Sequence, residues 1–410
     1  MNKFKTIVYS TLITILLVSA GFSYIYFKYI NPQMENKKVV EADTTSAFTH
    51  PQSAENTRDI KDSLKIKSEL NDKIFSSRQT IITKTVQKVS PAVVGINVTK
   101  VKKYRDPFTA DPLFRYFFGD RIYQKEIKAL GSGVIISPDG YIITNDHVAG
   151  DASEVIVTMT DGSRHPAKII GTDHATDICL LKIDGKNLPY VKMGNSNNIL
   201  IGEWVIALGN PFGLFEINDK PTVTVGVVSA TGMNLNAVGG RFYINMIQTD
   251  AAINTGNSGG PLVNVLGELI GMNTLIYSPN GGAGSVGVGF AIPVNKIKKI
   301  ITQLKNAGKV ERDFWTGIKI QPIDERLAKY FKLSSPKGVI ITSIAPNSPA
   351  QKAGLLVSDI IVGIDKFIVT DDNSIISILN QYSTGDEINV KVLRDGKIKS
   401  FKMKLEKLHD

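Results

Sequence analysis

Between about residues 84 and 292 the chain is cut by glycine into short β-branched runs, and no other feature of the sequence limits its fold so strongly. The runs include Val93-Val94-Gly95-Ile96-Asn97-Val98, Gly133-Val134-Ile135-Ile136, Tyr141-Ile142-Ile143 and Val155-Ile156-Val157. Trp204-Val205-Ile206-Ala207-Leu208 and Val223-Thr224-Val225-Gly226-Val227-Val228 continue the pattern. Each is too short for a stable helix and rich in side chains that pack on a pleated surface, so the stretch reads as many short strands in a barrel or sandwich. From Pro293 to Lys305 the period changes, and Ile297, Ile300, Ile301 and Leu304 fall on one helical face. With 42% apolar and 21% charged residues over 410 positions, the chain has enough apolar surface to build large cores, which excludes disorder throughout.

The flanking stretches differ in kind. Residues 314–408 mix strands, such as Gly338-Val339-Ile340-Ile341 and Ile388-Asn389-Val390-Lys391-Val392, with helical stretches opening at Ser348-Pro349-Ala350 and around Ser374–Tyr382. That mixture suits a small α+β domain. At the other end, Ile7–Phe27 is twenty-one residues without a charge, flanked by Lys3, Lys5 and Lys28. A helix of that length covers about 30 Å, the hydrocarbon thickness of a bilayer. The aromatics Tyr24, Tyr26 and Phe27 favour an uncleaved anchor, while the small residues of Val18-Ser19-Ala20 leave a cleaved signal peptide as the other reading. Residues 29–80 are a polar linker, in which Ile60, Leu64, Leu70 and Ile74 come close to helical spacing. The expected organisation is an anchor over 1–28, a linker over 29–80, a β domain over 81–310 and a small domain over 311–410.

Several classes of function are excluded at once. A single cysteine, Cys179, leaves no intrachain disulfide, no multi-cysteine zinc site and no CxxC motif. The net charge of +10 is spread along the chain without a Lys/Arg run, so nucleic acid is not an expected partner. Gly282-Ala283-Gly284-Ser285-Val286-Gly287 spells GxGxxG but opens a strand, so no helix N-terminus awaits a pyrophosphate.

The chemistry points to Gly256-Asn257-Ser258-Gly259-Gly260-Pro261. Glycines on both sides of a serine allow close backbone approach and a turn that points amides inward. A nucleophile elbow needs a helix after the serine and the order Ser, acid, His, but strand-like Leu262-Val263 and Leu269-Ile270 follow, and the only later histidine is His409. The other framework runs His, Asp, Ser along the chain. His50 and His409 lie in the linker and the tail, His165 in a polar stretch and His174 beside Asp173, whereas His147 ends the run Tyr141–Asp146. Asp177 leads straight into the apolar Ile178-Cys179-Leu180-Leu181, where a carboxylate needs a partner.

Together, Thr144-Asn145-Asp146-His147-Val148, Thr176-Asp177-Ile178-Cys179-Leu180-Leu181 and Gln248–Leu262 resemble the HtrA/Deg family of trypsin-fold serine proteases. Gly131-Ser132-Gly133-Val134-Ile135 and Ala207-Leu208-Gly209-Asn210-Pro211-Phe212-Gly213 extend the resemblance. It implies a double β-barrel, with His147 as general base, Asp177 as its orienter and Ser258 as nucleophile. An oxyanion hole from the Gly256 and Ser258 amides, and no cofactor or metal, are further implications. Asp146 stands where the family often has asparagine, which adds a carboxylate beside His147.

The last domain resembles a PDZ module of the same family. Phe314-Trp315-Thr316-Gly317-Ile318 matches its carboxylate-binding loop, which assigns Thr316, Gly317 and Ile318 to the capture of a peptide C-terminus. Asn347–Leu355 matches the helix-opening signature, and Ser358 and Lys366 occupy positions that commonly hold glycine. The aromatic stretch Asp111–Gly119, in a polar loop read over 103–129, is expected to contact another subunit or regulate the site. The resemblance implies a homotrimeric, membrane-tethered endopeptidase facing the periplasm. Its expected substrates are unfolded or misfolded envelope proteins, and its PDZ ligands are peptides with free hydrophobic C-termini. A dedicated regulatory protease and a non-proteolytic chaperone or scaffold are the competing readings.

Overall fold

The computed structural model describes residues 65, 67, 76–105, 122–210, 220–254, 256–276 and 287–407. The expected membrane segment, most of the linker with its helical spacing, the aromatic stretch 111–119 and the GxGxxG apart from Gly287 lie outside the described residues. Among the described residues, no helix is long and apolar enough to cross a membrane.

A helix that the sequence pattern did not reveal, α1 (Ile81–Val89), precedes the first barrel. The hydroxyl of Thr80 accepts from the Thr83 amide at 3.2 Å, and that of Thr83 accepts from the Thr80 amide at 2.9 Å, which satisfies two donors at the helix start. Six strands then close an antiparallel barrel in the order β1-β2-β3-β6-β5-β4. They are β1 (Val93–Arg105), β2 (Ile122–Ile135), β3 (Tyr141–Thr144), β4 (Glu154–Thr158), β5 (Arg164–Asp173) and β6 (Ile178–Ile183). The β1–β2 ladder runs in continuous register from Val93↔Val134 to Arg105↔Ile122. Much of the expected loop over 103–129 is therefore strand, because pairing continues past the point where the side chains turn polar. His165, placed in a polar stretch by the sequence, lies in a strand, β5.

A second barrel, ordered β10-β11-β12-β9-β8-β7, follows. Its strands are β7 (Trp204–Gly209), β8 (Thr222–Met233), β9 (Met246–Thr249), β10 (Pro261–Asn264), β11 (Leu269–Ile276) and β12 (Gly289–Pro293). One continuous core joins Ile142, Leu180 and Leu181 of the first barrel to Ile206, Leu208 and Met272 of the second. Cys179 lies in it, and burial, with Asp146 and Asp177 nearby, pushes its thiol up to about 12. It behaves as a small hydrophobe. The short helix α2 (Asp146–Ala149) caps β3, and α3 (Val294–Ala307) follows β12 with Ile297, Ile300, Ile301 and Leu304 buried.

The C-terminal domain has a sheet ordered β14-β15-β16-β18-β19. These strands are β14 (Ile318–Pro322), β15 (Val339–Ile344), β16 (Ile360–Ile364), β18 (Glu387–Arg394) and β19 (Lys397–Lys404). Short β13 (Phe314–Trp315) pairs with β20 (Glu406–Lys407), and β17 (Phe367–Ile368) pairs with β16. Three helices complete it: α4 (Glu325–Tyr330), which the sequence reading missed, α5 (Pro349–Lys352) and α6 (Asp372–Leu379). Ser358 keeps the left-handed backbone of a glycine position, at φ 76°. Arg312, between the domains, donates from both terminal nitrogens to the buried Asp173, one bond being 2.8 Å, and from Nε to the Asn380 carbonyl at 2.9 Å.

Candidate active site

The three loop ends that carry the expected triad converge where the barrels meet. His147 stands in α2 at the end of β3, Asp177 at the entry to β6 and Ser258 in the turn before β10. A short helical turn, His174–Thr176, leaves Asp177 in the left-handed region at φ 62° and ψ 39°. A non-glycine residue held there is sterically costly, and such positions concentrate at functional sites.

That backbone sets the Asp177 carboxylate beneath His147. The imidazole Nδ1 lies 2.9 and 3.0 Å from the two carboxylate oxygens, and the His147 amide donates to Oδ1 at 3.0 Å. With Nδ1 facing a carboxylate, the ring proton belongs on Nδ1 and Nε2 is left as the acceptor. Thr274 Oγ1 donates to Oδ2 at 2.7 Å, and the Tyr243 hydroxyl lies within 3.3 Å of the same oxygen. Burial alone would push the Asp177 carboxyl up, but the hydrogen bonds and charge of His147, aided by Thr274, hold it below its ordinary 3.8. Burial and the neighbouring Asp177 charge push the Tyr243 phenol up, so it stays a neutral donor.

Sequence reasoning missed this second ring of partners, and it missed the company that Asp146 keeps. Arg241 places Nε 3.2 Å from Asp177 Oδ1 and donates from its terminal nitrogen to Asp146 Oδ2 at 2.8 Å. Asp146 also takes His174 Nδ1 at 2.9 Å and the Thr172 hydroxyl. The extra carboxylate is thus matched by a guanidinium shared with Asp177.

Ser258 is half-buried, and its hydroxyl donates to the Thr274 carbonyl at 3.1 Å. Among the described residues no hydrogen bond joins it to His147, so the expected contact is not made in this state. Gly256 has φ 101°, which only glycine adopts without strain. The Asn257 amide donates to the Asn254 carbonyl at 3.0 Å and the Gly259 amide to the Asn273 carbonyl at 2.9 Å. Among the described residues, the Gly256 and Ser258 amides donate to no other group.

Thr316, Gly317 and Ile318 are brought together at the mouth of an open groove of about 650 Å³ between β14 and α6, walled by Phe314, Ile318, Ile344 and Leu379. Gly317 has φ 74°, and a Cβ there would lie 2.1 Å from that of Ser348. β14 is an edge strand of its sheet, so its outer side is open to a further strand.

Comparison with known proteins agrees with this geometry. Residues 131–272 match the family described as trypsin-like peptidase domain, and residues 316–405 match the PDZ domain family. A protein of Pseudomonas fluorescens named probable periplasmic serine endoprotease DegP-like is 41% identical over 341 residues, covering 78% of this chain and 69% of that protein. A protein of the same name from Halomonas elongata is 38% identical over 333 residues, covering 77% of this chain and 68% of that protein. The solved HtrA-type protease AlgW with decapeptide is 36% identical with a TM-score of 0.57, covering 81% of this chain and 100% of that one. The serine endoprotease from Yersinia pestis is 33% identical with a TM-score of 0.51, covering 81% and 99%.

Proposed function

For this chain, which belongs to the HtrA/DegP family of trypsin-like serine endopeptidases, we propose that Ser258, His147 and Asp177 carry out peptide-bond hydrolysis. The observation that carries the reading is the Asp177–His147 pair, with Nδ1 on the carboxylate at 2.9 Å, joined to Ser258 through Thr274, which bonds both Asp177 and the Ser258 hydroxyl. Ser258 rotates off the Thr274 carbonyl, Oγ attacks the scissile carbonyl and His147 Nε2 takes its proton. The developing imidazolium is stabilised by Asp177, whose own position rests on Thr274, Tyr243 and Arg241. The oxyanion is received by the amides of Gly256 and Ser258. Collapse transfers the proton from Nε2 to the leaving amine and leaves an ester on Ser258. His147 then activates water to release the acid.

The periplasmic relatives support a periplasmic protease. The uncharged run Ile7–Phe27 supports a tether to the inner membrane, and the family resemblance alone supports unfolded or misfolded envelope proteins as substrates and a homotrimer as the working assembly. The PDZ groove takes peptides with free hydrophobic C-termini as an added strand on β14, with the carboxylate over the Thr316–Ile318 amides. A serine resting on a carbonyl, away from its base, favours an enzyme whose activity rises on peptide capture. Ser258→Ala tests the chemistry: the variant keeps its fold and loses hydrolysis of casein. Turnover near the wild-type rate would overturn the triad.

A further inference from the structure

The Gly131-Ser132-Gly133 motif belongs to the first barrel and supplies no member of the triad, yet its one side chain reaches the Ser258 turn of the second. Ser132 is fully buried on β2. Its hydroxyl donates to the Gly256 carbonyl at 2.5 Å and accepts the Asn210 amide at 2.7 Å. Its own amide donates to the Ser258 carbonyl at 3.0 Å, and its carbonyl accepts from Thr144 Oγ1 at 2.7 Å. One residue of the first barrel therefore holds the chain on both sides of Asn257.

The consequence lies in the peptide planes. The plane joining Gly256 to Asn257 is fixed at both polar ends, its carbonyl by Ser132 and its N–H by Asn254. The plane joining Ser258 to Gly259 is fixed likewise, its carbonyl by Ser132 and its N–H by Asn273. The Ser258 N–H, in the plane between these two, and the Gly256 N–H, in the plane just before the first, remain without a protein acceptor among the described residues. Gly256 sits at a φ that imposes little resistance to a peptide flip, so the clamp has to come from its neighbours.

The glycines around Ser132 show how closely the fit is made. A Cβ on Gly209 would stand 2.9 Å from Ser132 Oγ, one on Gly259 would stand 2.2 Å from the Ser132 carbonyl, and one on Gly260 would stand 3.2 Å from Ser132 Cβ. On its own strand, a Cβ at Gly131 would stand 2.6 Å from Val148. The second barrel thus presents bare backbone to a single hydroxymethyl group.

We propose that Ser132 is a positioning residue for the hydrolysis, holding the Gly256–Asn257 peptide so that the Gly256 and Ser258 amides converge on the reacting oxygen. It touches no substrate and acts through the loop. The inference rests on the triad and oxyanion assignment above, and its test separates the two. In the full-length protein, Ser132→Ala is compared with wild type and Ser258→Ala on a fluorogenic casein-derived peptide, well below the variant's own melting midpoint. PDZ-peptide binding serves as the control for folding. One oxyanion donor is worth about a hundred- to a thousandfold in kcat, and a loosened pair of donors is expected to cost Ser132→Ala about ten- to a hundredfold with KM unchanged. Inhibition by a peptide aldehyde, whose adduct needs the same amides, weakens by the same factor. Calorimetric binding of the uncleaved peptide to Ser258→Ala is unaffected by adding Ser132→Ala. A wild-type kcat in Ser132→Ala, with Ser258→Ala inactive, would overturn the positioning role and leave the triad standing. Equal losses in kcat and in affinity for the uncleaved peptide would overturn it too, by showing that Ser132 shapes the cleft as a whole. An active Ser258→Ala would remove both readings.

Discussion

Replacing Thr274 with valine keeps the shape of a β-branched residue on β11 and removes one hydroxyl, which makes it a clean probe of the Asp177 environment. The hydroxyl donates at 2.7 Å to a carboxylate that is buried and ionised. A hydrogen bond of that kind contributes about 1.5–3 kcal/mol. Asp177 Oδ2 would retain His147 Nδ1 at 2.9 Å and a long contact to Tyr243 at 3.3 Å. The expected loss at pH 7 is therefore about 2 kcal/mol of stability. If all of it fell on the Asp177–His147 pair, kcat/KM would drop up to about thirtyfold. The pH dependence checks the cause. Asp177 titrates below its ordinary 3.8 in the folded protein, so its contribution is present above that value and is lost as pH falls through the folded pKa. Urea unfolding of wild type and Thr274→Val should give curves separated at pH 7 that draw together below about pH 4. A gap that did not narrow as pH fell through the acid range below 3.8, or a variant with wild-type kcat/KM, would refute the claim that Thr274 acts through the Asp177 charge.

Three further outcomes follow from the same geometry. Gly317→Ala puts a Cβ 2.1 Å from that of Ser348 at φ 74° and should abolish calorimetric binding of a free-acid hydrophobic peptide, to which the amidated wild-type ligand is the control. Ser358→Gly relieves a left-handed side chain at φ 76° and should stabilise the PDZ domain by about 0.5–1 kcal/mol in thermal melts, the gain being limited by the greater freedom of glycine in the unfolded chain. Lys296 donates to the Ile244 carbonyl at 2.6 Å, and burial, opposed by Asp173, pushes its ammonium down to about 7 from 10.5. The unfolded chain therefore binds the extra proton between those values. Stability should rise with pH across that window in wild type, and Lys296→Met should flatten the rise in pH-resolved denaturation.

The strands were legible because Val, Ile and glycine alternate with so little ambiguity, and the proposed triad could be named because His147, Asp177 and Ser258 each sit at a strand end in a diagnostic order. What escaped has a physical reason in each case. Helix α1 is opened by a reciprocal Thr80–Thr83 cap rather than by an acidic one, and its few apolar residues merge with the linker. Tyr243 and Thr274 lie 66 and 97 residues from Asp177 in the chain, and a lone tyrosine or threonine carries no local signal of the carboxylate it meets. Asp146 looked like an uncompensated charge beside His147, because Arg241 and His174 reach it only through the closure of the barrels. The resting pose of Ser258 on the Thr274 carbonyl is a rotamer choice, which composition and spacing do not encode.

The central claim is that Ser258 is the nucleophile and His147 its base. The most direct measurement treats the full-length protein with a fluorophosphonate, which esterifies only an activated serine, and maps the adduct by peptide mass spectrometry. The account predicts one adduct per chain on Ser258, formed in parallel with the loss of casein hydrolysis, and little or no labelling in His147→Ala. An adduct on another residue, or undiminished labelling of Ser258 without His147, would contradict it.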